Sequence, residues 1–461
     1  MFVVGLVFLG GILYAPVNYD ALTYRLPRML NWLGEGHWFW IPTANDRMNY
    51  SAAAWEWVAM PLFALLHSDR GLFLINALGF LLMPGLLFSI FRQFGVARRA
   101  AWTWMWVLPL AYGYTTQAGS IGNDFTGMLF CLFSVYFGLR ARRSQDVKEV
   151  WTAVLAAALM TGTKVSNLPL LLPCLVALWP VLPQLRHRWI TGIAFLVVAM
   201  IVSAAPVMIL NQLNAGSWTG DPTDRGHMRI KSPAAGLLGN GLLLLQQSFM
   251  PPGLPGAHKI NHWLDENTPG SWQRILEDEF PRYHLAGLNE LPQEESAGLG
   301  LGVTLLLVAV IGTAMFGLIW NHSAHRSLPK FSPVGLAACV AILFYMAKMG
   351  SESSARLLLA YYPLAIVPIL LLPAQERLAR RRVWKILTVL AALSVLPAVI
   401  LSPARPLLPV VSASKWLLHH YPDNPAVQRT AAVYLAYAHR NDVLAPLRAG
   451  LPGGVLKIGL L

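Results

Sequence analysis

The chain has 461 residues, of which 56% are hydrophobic and 12% charged, about half the charged share of a soluble globular domain. Together with a mean hydropathy of +0.50, this excludes a soluble enzyme and describes a polytopic membrane protein. The formal charge of +13 does not signal nucleic-acid binding, because the arginines fall in short clusters between apolar runs and not on one face.

In chain order, residues 1–15 are apolar but would span only about 22 Å as a helix, against a hydrocarbon core of about 30 Å. The helix either stands upright in a thinned bilayer or begins upstream of this sequence. No Lys/Arg region precedes it and no small-residue cleavage pattern follows, so it does not read as a removable signal peptide. Residues 16–56 (PVNYDALTYRLPRMLNWLGEGHWFWIPTANDRMNYSAAAWE) then bring acids, arginines and aromatics into a chain that is otherwise mostly lipid-soluble. A carboxylate such as Asp20, just beyond a span, is costly unless hydrated or paired, so this stretch reads as the working edge of a membrane-embedded site. Residues 51–66, apolar but carrying Glu56, are expected to form a helix along the interface. Tyr24, Trp32, Trp38, Trp40, Trp55 and Trp57 fit an aromatic belt at that level.

Further apolar spans are expected at 71–90, 101–117, 124–140, 150–163, 167–184, 189–211, 299–320, 332–349, 356–373 and 384–402, which with 1–15 make about eleven crossings. Every second loop is basic: Arg92/Arg98/Arg99, Arg140/Arg142/Arg143/Lys148, Arg186/Arg188, Arg326/Lys330 and Arg377/Arg380/Arg381/Arg382/Lys385. The positive-inside rule makes that side cytoplasmic, with the N-terminus inside and the loops 16–70, 117–123, 213–298 and 350–355 outside with the C-terminal tail. Cys131, Cys174 and Cys339 lie in apolar runs without CxxC spacing and read as small core residues. The Pro- and Gly-rich loop 213–298 is expected to be an irregular lid, where Asp221, Asp224, His227, His258 and His262 either select an acceptor or are simply solvated. Residues 1–402 form the membrane domain. In 403–461, Asn424 should cap a helix and the closing VLKIGLL should be a buried strand, so the chain is expected to end as a small α/β unit begins.

With this orientation the ionisable residues that interrupt the apolar pattern gather at the outer ends of spans: Asp20 and Glu56 in the first loop, Asp124 in QAGSIGNDF, Lys164 in TGTKVSN, and Glu352 and Arg356 in MGSESSARLLLAYYP. Each has an ordinary alternative. Asp20 could cap a helix or pair with Arg25 or Arg28, Asp124 could favour a helix N-terminus, Lys164 could snorkel to headgroups, and Arg356 could pair with Glu352 one turn away. As a site, two carboxylates with two cations suit a reaction in which a nucleophile loses a proton while an anionic group departs. A carboxylate accepts the proton; arginine and lysine hold a phosphate.

The first-loop motif NYDALTYRLPRMLNW, the Asn123-Asp124 turn, the Thr163-Lys164 turn and SARLLLAYYP resemble the bacterial GT-C-fold glycosyltransferases that use polyprenyl-phosphate sugars, the aminoarabinose transferase and protein O-mannosyltransferase group. The resemblance extends over most of residues 14–373 and departs at Leu357, where many members have Tyr. It implies an all-helical integral membrane GT-C-type bundle with interfacial helices in the first outer loop. It also implies an inner-membrane enzyme moving a sugar from a polyprenyl-phosphate carrier to a periplasmic acceptor, with inversion. Asp20, Asp124 and the weaker match Glu56 would be catalytic, and Lys164, Arg356, Tyr24 and Arg25 would face the donor phosphate. Some members use a divalent metal, but no ligand cluster in this sequence assigns one. A polysaccharide polymerase or ligase is the nearest alternative. A transporter or flippase is a second, though the sequence has no clear repeat and its charges cluster at one surface.

Overall fold

The computed structural model describes residues 1–220, 230–280, 283–320 and 331–442, and every regular element among them is helical. Helix α1 (Phe2–Leu13) leads into one wide π-helical turn, Ala21–Arg25, and then α2 (Leu26–Glu35), which stops at Gly36 in the left-handed conformation. The wide turn follows from Pro27. Having no N–H, it leaves the Thr23 carbonyl without its α-helical partner, and the Asn45 side chain donates to that oxygen instead at 2.8 Å.

Helices α3 (Ala54–Leu66) and α4 (Leu74–Gln93) follow, then α5 (Arg98–Val107) and α6 (Tyr112–Ala118). The expected span 101–117 is thus two helices, divided by a 3₁₀ turn at Leu108–Leu110 that contains Pro109. Helices α7 (Asn123–Ser144) and α8 (Val147–Thr163) form a hairpin. Next come α9 (Leu171–Leu178), then α10 (Trp189–Val202) and α11 (Ala205–Ala215), which meet at a 55° bend at Ser203-Ala204.

The long loop 213–298 is more regular than its proline content suggested. It carries α12 (Pro233–Ser248), α13 (Ala257–Asn267) and α14 (Gly270–Glu279), because Leu237, Leu238 and 242–245 supply a helical apolar run and the Pro/Gly cluster is confined to 251–256. Helices α15 (Gly300–Trp320) and α16 (Pro333–Lys348) return through the bundle. The expected span 356–373 is a series of short helical turns, Ser354–Leu357, Tyr362–Ala365 and Val367–Leu370. Pro363, Pro368 and Pro373 each remove a backbone donor and restart the helix. Helix α17 (Arg382–Leu393) precedes the tail helices α18 (Val410–His420) and α19 (Pro425–Ala438). Asn424 caps α19, its Oδ1 accepting from Ala426 and Val427 at 3.0 and 3.3 Å. The expected strand VLKIGLL, the residues Asp221, Asp224 and His227, and the Arg326/Lys330 cluster lie outside the described residues.

Among the described residues three helical stretches, Asp69–Gln93, Val165–Gln184 and Arg382–Ile400, are long and apolar enough to cross a bilayer, or four if the bent pair is one span. Leu78, Leu81, Leu82, Ile386, Val389 and Leu390 point outward on two of them, as expected of helices facing lipid. The main core gathers α4 to α7, α15, α16 and the turns of 357–371. Trp32 and Trp55 are corrections to the aromatic-belt reading: both are buried and packed on arginines, while Trp57 is half exposed.

Candidate active site

The wide turn aligns Asp20 with Arg25. Residues five apart on a regular α-helix diverge by about 140° around the axis; here the chain closes a five-residue bond, Leu26 N–H to the Ala21 carbonyl, and the two side chains meet at 3.4 Å. Asn18 Oδ1 accepts from the Ala21 N–H at 3.2 Å and caps the turn.

The second carboxylate is positioned by the turn 117–123. Buried Asn76 of α4 donates to its carbonyls at Gln117, Ser120 and Gly122 at 3.3, 3.0 and 2.7 Å and so holds the turn in place. Gln117 takes the Phe125 N–H on Oε1 at 3.0 Å and donates Nε2 to Asp124 Oδ2 at 3.2 Å, which fixes the carboxylate plane. Asn123 accepts from Arg25 Nη2 at 2.6 Å and donates to the Thr163 carbonyl at 2.7 Å, linking the first loop to the turn that carries Lys164.

Arg356 enters on the turn 350–355, which hangs from α12. Asn240 donates to the Met346 and Met349 carbonyls at 2.7 and 2.8 Å and accepts from Ser354 at 2.5 Å; Gln247 donates to the Glu352 carbonyl and accepts from Ala355 N–H. Arg356 Nη2 lies 3.6 Å from Asp20 Oδ2, and its Nε lies 3.7 Å from Asp124 Oδ2. Lys164 Nζ donates to Asp124 Oδ1. Arg25 also donates to the Ile121 carbonyl at 2.9 Å, and Tyr24 and Trp55 offer it their ring faces.

The structure therefore brings together Asp20, Tyr24, Arg25, Asp124, Lys164 and Arg356, drawn from four separate parts of the chain. Arg356 meets the two carboxylates, not Glu352, and Lys164 meets Asp124 in place of headgroups. Asp20 makes no capping bond. Glu56 lies elsewhere: it is buried against Arg28 at 2.5 Å, and Arg28 also donates to the Ser51 and Ala52 carbonyls. The acid of the expected interfacial helix thus faces inward.

Three cations against two carboxylates leave the cluster with one positive charge in excess, so it favours an anion. The buried Arg356 Nε makes no hydrogen bond among the described residues, a donor suited to a phosphate oxygen. Burial alone would raise the Asp20 carboxyl, but Arg356, Arg25 and Lys164 outweigh it and hold Asp20 below the usual carboxylate range, so it is ionised at neutral pH. Burial lowers the Lys164 ammonium more than Asp124 restores it. Asp20, Lys164 and Arg356 keep 12 to 20% of their side-chain surface exposed, whereas Arg25 is sealed. Among the described residues no three of His, Cys, Asp and Glu converge as metal ligands.

Sequence reasoning missed Asn76, Gln117, Asn18, Glu294 and Arg405. Asn76 was detectable as a polar residue inside an apolar run. Glu294 and Arg405 gave no signal, lying in stretches that read as solvated loop and tail, yet both are buried beside the site.

No protein-family model and no curated protein matches the chain. Among solved structures it is similar to ArnT from Cupriavidus metallidurans bound to undecaprenyl phosphate, at 15% identity and a TM-score of 0.49, covering 98% of this chain and 80% of that one. It is also similar to the apo state of that protein, at 16% identity and a TM-score of 0.46, covering 98% and 79%. ArnT is an aminoarabinose transferase of the group that the first-loop motifs resemble.

Proposed function

We propose that the protein is a membrane glycosyltransferase that moves a sugar from a polyprenyl-phosphate carrier to an acceptor at the outer face of the inner membrane, with inversion at the sugar carbon. One observation carries this reading: Asp20 and Asp124, from different segments, share Arg356 within 3.6 and 3.7 Å, at a surface where Lys164 is also open.

In the proposed step the acceptor oxygen or nitrogen attacks the anomeric carbon from the face opposite the phosphate. The carbon–oxygen bond to the phosphate breaks, its electron pair leaves with the polyprenyl phosphate, and the acceptor's proton passes to Asp20. Lys164 and Arg356 stabilise the charge that builds on the departing phosphate, so no acid need protonate it. A phosphate drawn between these cations competes with Asp20 for Arg356. That contact is among those holding the carboxyl low, so donor binding makes Asp20 a stronger base. Asp124 keeps Lys164 in place and limits the excess positive charge. The carrier's chain lies along the apolar outer faces of the helices.

The test is transfer of labelled sugar from polyprenyl-phosphate donors by purified protein in lipid, wild type against Asp20→Asn and Lys164→Ala. Loss of turnover with Asp20→Asn, and a raised donor KM with Lys164→Ala, are expected. Equal turnover by wild type and Asp20→Asn removes Asp20 from the chemistry.

A further inference from the structure

Beyond the charged cluster, one oxygen atom joins the two segments that carry the carboxylates. Glu294 Oε1 accepts from Asn18 Nδ2 at 2.8 Å and from Ser120 Oγ at 2.6 Å. Asn18 turns its other amide atom, Oδ1, to the Ala21 N–H, capping the turn on which Asp20 and Arg25 stand. Ser120 Oγ in turn accepts from the Gly122 N–H at 3.1 Å, within the turn that leads to Asp124. The amide orientation of Asn18 is therefore set from one side by Glu294 Oε1, which accepts, and from the other by a backbone donor. Gly122 is part of the same arrangement: a Cβ there would come within 3.0 Å of Glu294 Oε1 and 3.1 Å of Gln117 Oε1.

Glu294 is itself held from the tail. Arg405 Nη1 lies 3.9 Å from its Oε2 and donates Nη2 to the Thr116 carbonyl. Two neighbouring acids of the same loop are also tied to the tail, Glu290 by Arg429 at 2.6 and 3.2 Å and Glu295 by Arg440 at 3.8 Å. Of the three acids, Glu294 is the one that continues inward to the site.

We propose that Glu294 is a positioning residue: through Asn18 and Ser120 its Oε1 fixes the distance between the turn bearing Asp20 and the turn bearing Asp124, and so the placement of both carboxylates on Arg356. It touches no reacting group. The role rests on the proposed transfer reaction, but the geometry it sets is a property of the fold.

Glu294→Gln keeps an acceptor oxygen at Oε1 and keeps the side-chain shape, whereas Glu294→Ala removes the link. The charged or titratable groups facing Glu294 are Arg405, Glu295, Arg356 and Tyr437, and these are unchanged in both variants. Two measurements separate the outcomes. In the transfer assay, Glu294→Ala should lower kcat by about a hundred-fold with donor KM little changed, as expected for reacting groups displaced by about 1 Å. Glu294→Gln should restore most of kcat, and Arg429→Ala, which cuts the same loop's outer tie, should leave kcat unchanged. In hydrogen–deuterium exchange, Glu294→Ala should speed exchange in both 18–26 and 117–124, and Glu294→Gln in neither. If exchange in those segments does not move, or if Glu294→Gln behaves as Glu294→Ala in both measurements, the positioning role is overturned. If exchange responds as expected but the wild type transfers no sugar, the positioning role stands and the transferase reading is the one that fails.

Discussion

Arg28 with Glu56 and Arg25 with Asp20 are both arginine–carboxylate pairs whose arginines stand on adjacent turns of one segment, yet the two pairs are finished differently. Arg28 and Glu56 are each 1% exposed, 2.5 Å apart, and Arg28 spends its other donors on two backbone carbonyls and the faces of Tyr24 and Trp32. Asp20 is shared between Arg25 and Arg356 at 3.4 and 3.6 Å and keeps 17% of its surface open. Burying an ion pair is costly unless its geometry is closed and all its polar groups are met. The first pair is closed in geometry, its charges 2.5 Å apart and sealed from solvent, although Arg28 Nε and the Glu56 carboxyl oxygens make no hydrogen bond among the described residues. The second is looser and exposed on one side, which suits groups that must change partners when a charged ligand arrives.

The largest expected effect breaks the open side. Asp20→Asn should reduce turnover by about 10²- to 10⁴-fold while thermal unfolding of the purified protein shifts little. On the closed side the effect should fall on stability: Glu56→Ala leaves Arg28 charged, buried and unpaired, at a cost of about 3–5 kcal/mol. The double change Glu56→Leu with Arg28→Met should recover most of that in thermal unfolding, and the folded fraction should keep its kcat. A folded Glu56→Ala protein without turnover would end the distinction between the two pairs.

The next effect depends on pH. Burial, only partly offset by Arg405, pushes the Glu294 carboxyl above the ordinary carboxylate range, up to about 7. A raised carboxyl binds its proton more tightly in the folded state, so its contribution is fully present below about pH 4.5 and is lost as pH rises through about 7, on the order of 3 kcal/mol. The stability of the wild type against unfolding should fall as pH rises across that window, and Glu294→Gln should flatten the dependence. Asp20 has the opposite sign: its carboxyl is held low, so its contribution is present above the unfolded pKa and is lost only in acid. Smaller still, Gly122→Ala should cost about 1–3 kcal/mol by crowding Glu294 and Gln117. Arg429→Ala, at a half-exposed pair, should cost less than about 1 kcal/mol in the same unfolding measurement.

Much of this was legible in the sequence because charge is so scarce in it. Asp20, Asp124, Lys164 and Arg356 stand out against apolar neighbours, and their convergence follows from placing all of them on one side of the bilayer. What was not legible was partner choice. Glu56 and Arg28 are 28 positions apart on different helices, and nothing in their spacing says that they seal each other off from the site. Glu294 sits in a Gln-Glu-Glu-Ser stretch with the composition of a solvated loop, and its burial depends on Arg405, more than a hundred residues later. The broken helices were a matter of weight: Pro109, Pro363 and Pro368 were visible, but hydropathy over a whole window averages them away, whereas the backbone cannot. The long loop 213–298 failed in the other direction, its local prolines hiding a leucine-rich helix that suspends the Arg356 turn.

The extra residue in the Ala21–Arg25 turn acts as a phase shifter for everything after it. Removing one residue there would return the segment to ordinary helical winding and rotate the following helix by about 100°, carrying Arg28 away from Glu56 and Arg25 away from Asp20 in a single step. The segment 20–28 should therefore accept changes of side chain far more readily than changes of length, since its meaning is written in angular register as much as in residue identity.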